Sequence, residues 1–443
     1  MVLTHSRKSL ASPATDSRDL QADLKMTTLS LGSAMADITP NWPLTLAGFA
    51  ARTEPSRGVS QPLRARVSVL ESDQVGVRRR VVVVAADLLW WGQQDASSLR
   101  TEIATIAETS PDYVLLSATH THSAPQTAIR ASREIGVVAP DYTTLLRERV
   151  VSATARAMAA LEPVTLRRFT GTCEIGFNRR YARNPAGPTD PCLTVLCFDR
   201  TDGTPAALWV HFACHPVITQ EPLVSAEFCG VAMDRLETHL GVTASFLQGC
   251  CGDINPVAAS GRESLRGGDA EVVATGDRLA SEVERLLASD GGEPISDISL
   301  SARLLTVELP FAAIPTDETL RHQALAEGVE GELARALLAH PEWNTPSIPL
   351  ELQRLDLGPS CRLLAMNGEI VADYGLRIRE LSQGAVLPLG YANGMTGYIP
   401  TSRILVEGGY EAGEAAPYFL LPGPFAPEVE PLMDEAIASI LAS

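Results

Sequence analysis

The chain has 443 residues, 45% of them hydrophobic and 20% charged, a balance that suits a globular protein with a large core. Its 53 acidic and 36 basic residues give a formal charge of -17. With no basic patch in the sequence, that acidity excludes a nucleic-acid partner and gives no support for an anionic membrane surface.

Residues 1–26 are polar, lack the apolar core of a secretory signal, and read as a disordered extension, with Met26 as an alternative start to Met1. No run of about 18 apolar residues occurs, so no transmembrane segment is expected. A cytoplasmic protein is the resulting expectation. Residues 27–70 read as strands and turns, with Ala65 to Leu70 alternating like a half-buried strand. The β-branched run Val81-Val82-Val83-Val84 leads to Asp87 and suits a fully buried central strand. Ser97 to Glu108 reads as a helix, 113–119 as a second buried strand, and Asp141 to Leu161 as a helix ending before Pro163. Strands return over 164–200 and from Ala206 to Cys214. Gly230 to Leu240 is read as a helix, Ala244 to Leu247 as a strand, and the Gly-rich stretch 261–275 as a disordered surface loop. Then come a helix from Asp277 to Leu287, a strand over 296–310 and a long charged helix from Asp317 to Leu338. Two strands over 350–372, a helix from Asp373 to Ser382 and an amphipathic helix from Pro427 to Leu441 complete the chain. Strands and helices intermingle, no linker divides them and no repeat is apparent. The expected fold is mixed α/β (α+β), layered sheets flanked by helices, in a single large catalytic domain over residues 27–443.

The eight cysteines form no C-x-x-C pair and read as buried thiols. The most informative segment is Ser117 to Pro125, SATHTHSAP, which closes an apolar strand. Side chains two apart on a strand face the same way. His120 and His122 therefore point into one space, as a metal site or a metal-and-proton pair requires. Two histidines satisfied within a polar loop are the plainer alternative. A second strand runs into His215-Pro216. His211 lies four residues earlier, ~13 Å away along a strand, and is read as structural. Gly252-Asp253-Ile254-Asn255-Pro256 forms a tight turn after a third apolar strand, able to bind an oxyanion or to supply a carboxylate that steadies a ligand histidine. Glu369 sits between a strand and a helix, and Tyr398 and Tyr410 lie in Gly-rich loops. Trp90 and Trp91 flank a pocket or simply pack.

Taken in order, THTHS (119–123), FAxHP (Phe212 to Pro216), GDxxP (252–256), GE (368–369), GYxP around Tyr398 and EGGYE (407–411) resemble the catalytic domain of neutral ceramidases and their bacterial relatives, over roughly residues 30–425. The resemblance implies one zinc ion held by His120, His215, Glu369 and Tyr398. It also implies that His122 contacts the substrate amide, that Arg179 of Asn178-Arg179 helps hold the reacting group, and that Tyr410 completes the site. Two departures stand out. Asn255 replaces the family's serine in the GDxxP turn, and asparagine cannot act as a covalent nucleophile. The family's C-terminal immunoglobulin-like domain and secretory signal have no counterpart in the sequence, which weakens the case for ceramide in a membrane.

The function expected is therefore a zinc-dependent hydrolase that cleaves an acyl C–N bond with metal-activated water, acting on a small-molecule or lipid-like substrate. Asn255 and Tyr410 would steady the oxyanion, His122 would hold the carbonyl or shuttle a proton, and Asp253 and Asp87 would orient imidazoles. A salt bridge is the alternative for Asp87. The competing readings are a lactone or ester hydrolase on the same zinc, a dinuclear metallohydrolase using His120, His122 and Asp87, and a relative that kept the scaffold without the chemistry.

Overall fold

In the computed structural model, which describes residues 28–74, 76–257 and 267–442, the β-branched run lies in the strand Val77–Ala86. Its side chains alternate between two apolar environments. Val82, Val84 and Ala86 enter a core shared with Leu99 and Ile103 of helix Gln93–Ile106 and Leu146 and Val150 of helix Pro140–Ala159. Val81, Val83 and Ala85 face the other way, against Leu355, Leu363 and Leu387 of a second sheet. Both faces are covered, so the strand reads as a continuous apolar run without alternation. Burial of each valine contributes about 1.5–3 kcal/mol.

The large sheet runs in the order Thr243–Gln248, Pro205–Phe212, Cys192–Arg200, Glu162–Thr172, Thr28–Asp37, Arg64–Gln74, Val77–Ala86, Val114–Ala118, with Glu293–Ile295 also paired to Glu162–Thr172. The outermost pair at each end is parallel and the inner pairs are antiparallel. Four antiparallel and parallel strands, Ser301–Pro310, Ser347–Gly358, Cys361–Met366 and Val386–Leu389, form the second sheet. Helices Glu227–Leu240 and Asp269–Leu287 pack on Val195, Val210 and Phe246 on the outer face of the large sheet. Met433, Ile437 and Ile440 of helix Val429–Ala442 cover Leu350, Leu352 and Leu364 of the small one. The layers are thus helix, sheet, sheet, helix, as the intermingled pattern predicts. Among the described residues no helix is long and apolar enough to cross a membrane. The eight cysteines are free thiols, and all but Cys192 are buried.

Three expectations need correction or limitation. The long helix over 317–338 is two helices, Asp317–Gln323 and Gly328–Ala339. Between them Leu325 is exposed and Gly328 takes a φ of +78°, a left-handed turn that ends one helical register before the next begins. The Gly-rich stretch is helical from Asp269, eight residues before Asp277, because the Glu271 carboxylate accepts from the Gly268 amide at 2.7 Å and closes the helix start. The expectations for residues 1–26, and for 261–266 of that stretch, lie outside the described residues.

Two strands carry the histidines to one place. Val114–Ala118 ends just before His120, and Pro205–Phe212 just before His215. They lie in opposite end pairs of the large sheet, and one side chain joins them. Gln248, fully buried at the end of Thr243–Gln248, donates from Nε2 to the Thr119 carbonyl at 2.8 Å and to the Cys214 carbonyl at 2.9 Å. Its Oε1 accepts from the Cys214 amide at 3.2 Å. Gln248→Met keeps the shape and strands these partners in an apolar interior. At about 1–3 kcal/mol for each buried group left unpaired, the expected loss of unfolding free energy is about 3 kcal/mol, read by urea denaturation. A loss under about 0.5 kcal/mol would show that this clamp carries no stability.

Candidate metal centre

The strand ends at Ala118, and His120 turns sharply, with a φ of +69°. A non-glycine residue is held in that region only where its surroundings over-determine it. This left-handed turn, and not the pleat of an extended strand, brings the two histidines together. Their Nε2 atoms lie 3.2 Å apart.

The outer ring nitrogens explain the tautomers. His120 Nδ1 lies 2.8 Å from the Leu89 carbonyl oxygen, and His215 Nδ1 lies 2.6 Å from that of Cys251. A carbonyl only accepts, so each Nδ1 carries the proton and each Nε2 presents its lone pair. Both Nε2 atoms lie 3.3 Å from the same oxygen, Glu369 Oε2. Donor nitrogens of His120, His122 and His215 all fall within 4.8 Å of one another.

The electrostatics agree with the geometry. Burial pushes the Glu369 carboxyl up, but His120 and His215 outweigh it and hold the group well below the usual carboxylate range. Burial holds the His215 imidazole down at about 4. Desolvation, then the neighbouring His120 and His215, keeps His122 well below the histidine range. At neutral pH His122 and His215 are therefore uncharged beside an ionised carboxylate. Such a nitrogen-and-oxygen donor set suits a divalent cation, and zinc among them.

The remaining expected residues form an adjoining half. Tyr398 pairs in register with Glu369 on the neighbouring short strand. Its buried phenol is pushed above its ordinary range by desolvation, and its ring lies 5.4 Å from the Arg179 guanidinium and 5.4 Å from the Tyr410 ring. Strand Gly176–Asn178 pairs with Ile254–Pro256, which sets Arg179 beside Asn255, with Nη1 3.4 Å from Oδ1. Arg179 Nε donates to Glu411 at 2.7 Å, and Glu411 also accepts from Arg180. Arg179, Asn255 and the exposed Tyr410 line one cavity of about 440 Å³.

His122 is the partly exposed member of the cluster. Its ring packs against Phe49 at 4.8 Å, and Arg52 donates to its carbonyl. Gly48, at φ +99°, lies directly against that ring, so a Cβ there would overlap His122 Nδ1.

Two carboxylates do not have the role expected of them. Asp253 touches no imidazole. Its oxygens accept from the Ala372 amide and from Asn178 Nδ2, each at 2.8 Å, and burial raises its pKa to about 6. It braces the segment that follows Glu369, while His215 is oriented by the carbonyls of Cys251 and Ile254 in the same turn. Asp87 accepts from the Arg64 amide at 2.8 Å and pairs with buried Arg66 at 3.3 Å, which is the salt-bridge alternative. His211 is structural as expected, donating to the Pro388 carbonyl at 2.8 Å. Trp90 packs between His120 and Phe419 at 6.1 and 5.6 Å, whereas Trp91 lines a separate cavity with Leu99 and Leu146. Sequence reasoning missed Gln248, Glu411, Gly48 and Tyr391. Glu411 lay inside a quoted motif, and Gln248 lies four residues before another, so position in or near a motif was the available signal for both.

Comparison with known proteins bears on this arrangement. The model of neutral/alkaline non-lysosomal ceramidase, N-terminal, matches residues 29–269, more than half of the chain. No curated protein sequence matches the chain significantly. The crystal structure of neutral ceramidase from Pseudomonas aeruginosa has the same fold, with a TM-score of 0.72 and 21% identity over 94% of this chain and 75% of that one. A ceramidase complexed with C2 superposes with a TM-score of 0.76 at 19% identity, again over 94% and 75% of the two chains. The chain belongs to the neutral/alkaline non-lysosomal ceramidase family and is a hydrolase of amide bonds.

Proposed function

We propose that the protein cleaves an acyl C–N bond with a water molecule activated by zinc, the ion being held by His120, His215, Glu369 and Tyr398. One observation carries this reading: two imidazole nitrogens, their protons committed to backbone carbonyls on the far side of each ring, face one ionised carboxylate oxygen at 3.3 Å. When bound, zinc supplies a Lewis acid and lowers the pKa of its water to about 7. The chain's own groups do the rest. His122, neutral at pH 7 and open on one side, takes the proton that the attacking water releases and passes it to the departing nitrogen. Arg179, steadied by Glu411, holds the reacting group, and Asn255 and Tyr410 donate to the carbonyl oxygen as it gains charge. Loss of one such donor raises the barrier by about 2.7–4 kcal/mol. Asn255 forms no acyl-enzyme, so hydrolysis takes a single displacement by water. Residues 27–443 act as one catalytic domain, since the donor set joins residues at the ends of the large sheet to a separate short strand pair that carries Glu369 and Tyr398. The substrate is a lipid-like or small-molecule amide. The solved structures of the same fold are ceramidases, which makes a ceramide-like N-acyl lipid the first compound to assay.

Elemental analysis should find about one zinc per chain, as a single site of this donor set holds one ion. His120→Ala should abolish both retention and turnover, and pre-steady-state traces should show no burst. A fully loaded His120→Ala protein sinks the assignment.

The pH dependence has a defined sign. Protons compete with metal for the ring nitrogens. With His215 near 4, that competition at this ligand starts below the ordinary histidine range. Zinc retained on dialysis should therefore hold from pH 7 through 6.5 and fall only on further acidification. Half-loss above pH 6.5 contradicts this.

Gly48→Ala should push the His122 ring aside without touching the other ligands. A misplacement of this size typically costs about 100-fold in rate, so kcat/KM should fall by that order while zinc content stays unchanged. Wild-type activity in this variant would remove His122 from the mechanism.

A further inference from the structure

We propose that Tyr391 is the positioning residue that locks the histidine half of the metal site to its glutamate half, an inference that rests on the metal reading above. The backbone of Tyr391 makes the first connection. Its carbonyl accepts from the Ala118 amide, at the end of the strand before His120, and its amide donates to the Gly368 carbonyl, just before Glu369, each at 3.1 Å. The side chain makes the connection a second time. Its ring stacks on His120, with centroids 4.0 Å apart and planes 30° from parallel. Its hydroxyl lies 3.4 Å from Glu369 Oε2, the oxygen that both imidazoles face, and 3.3 Å from Cys251 Sγ. The Cys251 carbonyl in turn takes the His215 Nδ1 proton. One residue thus reaches the segments of three candidate ligands that come from different elements.

The conformation of Tyr391 argues that this placement is imposed. The residue is fully buried and sits at φ +57°, a region that an aromatic residue occupies only when the fold compels it. The thiol donates to the phenol oxygen and the phenol donates to Glu369, a short relay in which each bond polarises the next. A bond from Tyr391 to Oε2 fixes the rotation of the carboxylate. The stacked ring fixes the rotation of the His120 imidazole about its own bond to Leu89.

Tyr391→Phe keeps the stacked ring and deletes only the hydroxyl. Tyr391→Leu deletes both. Zinc affinity is measured for each by competition with a chromophoric chelator at pH 7, and the melting temperature of each zinc-free protein is recorded alongside. Groups that orient metal ligands are typically worth about 10–100-fold in affinity. The expected result is a loss of that size in Tyr391→Phe with an unchanged zinc-free melting temperature, and a larger loss in Tyr391→Leu. Wild-type affinity in Tyr391→Phe overturns the inference. So does a zinc-free Tyr391→Phe protein that melts far earlier than wild type, since the hydroxyl then serves the fold and not the site. A wild type that retains no divalent ion removes the metal reading and this inference together, whereas equal affinities remove the inference alone.

Discussion

His120 Nε2 and His215 Nε2 both lie 3.3 Å from Glu369 Oε2 in the buried interior. In a low-dielectric interior an unpaired buried carboxylate costs several kcal/mol. The arrangement persists only because every group around it is tied down. The protonated faces of the imidazoles are committed to backbone carbonyls, which cannot rotate away as a carboxylate partner could. Gln248 holds the backbone beside each histidine, and the Gly252-Asp253 turn holds the segment of Glu369 through the Gly252 amide to Ile370 and the Asp253 carboxylate to Ala372. A divalent ion held here, as proposed, would turn this local cost into binding energy.

The two sheets share the work unequally. The large sheet delivers both histidines, the GDINP turn and Arg179, while the small sheet and its loops deliver Glu369, Tyr398 and Tyr410. The seam between them is the edge of Val114–Ala118. There Asn393 takes the place of a neighbouring strand. Its amide donates to the Leu116 carbonyl at 2.8 Å, its Oδ1 accepts from the Leu116 amide at 3.0 Å, and its Nδ2 reaches Glu351 and Gln353 of the second sheet. An exposed edge strand invites unwanted pairing. Here the edge is closed by the segment that also carries Tyr391. The left-handed residues His120, Tyr391 and Asn393 cluster at this seam. Strain is concentrated where the halves of the site meet, and the surrounding hydrogen bonds hold it in place.

Much of this was legible in the residues themselves, for physical reasons. Val81–Val84 announced a strand covered on both faces, and the helix read from Asp141 to Leu161 announced itself through apolar positions at helical spacing, which form the inward stripe of Tyr142, Leu146, Val150, Ala153 and Ala157. The pairing of His120 with His122 was anticipated, but for the wrong geometric reason, since a left-handed turn is not written in local periodicity. The role of Asp253 was misjudged and that of Asp87 was left open against a salt bridge, because a buried carboxylate near a histidine in sequence needs only some partner, and two N–H donors and Arg66 supplied it. Gln248 and Tyr391 act through contacts more than 100 residues apart in the chain, to Thr119 and to Ala118 and His120. No spacing rule reaches that far.

The departure at Asn255 bears on which chemistry the scaffold supports. A serine there would offer a second route, attack by a side-chain oxygen with water entering only later. Asn255 is buried in a strand pair with its Oδ1 turned toward Arg179 Nη1, which leaves its amide N–H groups as donors to whatever enters the cavity. Asparagine at this position can polarise a carbonyl and cannot attack one. In the proposed reaction the nucleophile is then a water molecule on the side of the histidine cluster. The geometry of the histidine cluster and the identity of one turn residue are independent features of the chain, and each points to a water molecule as the attacking group.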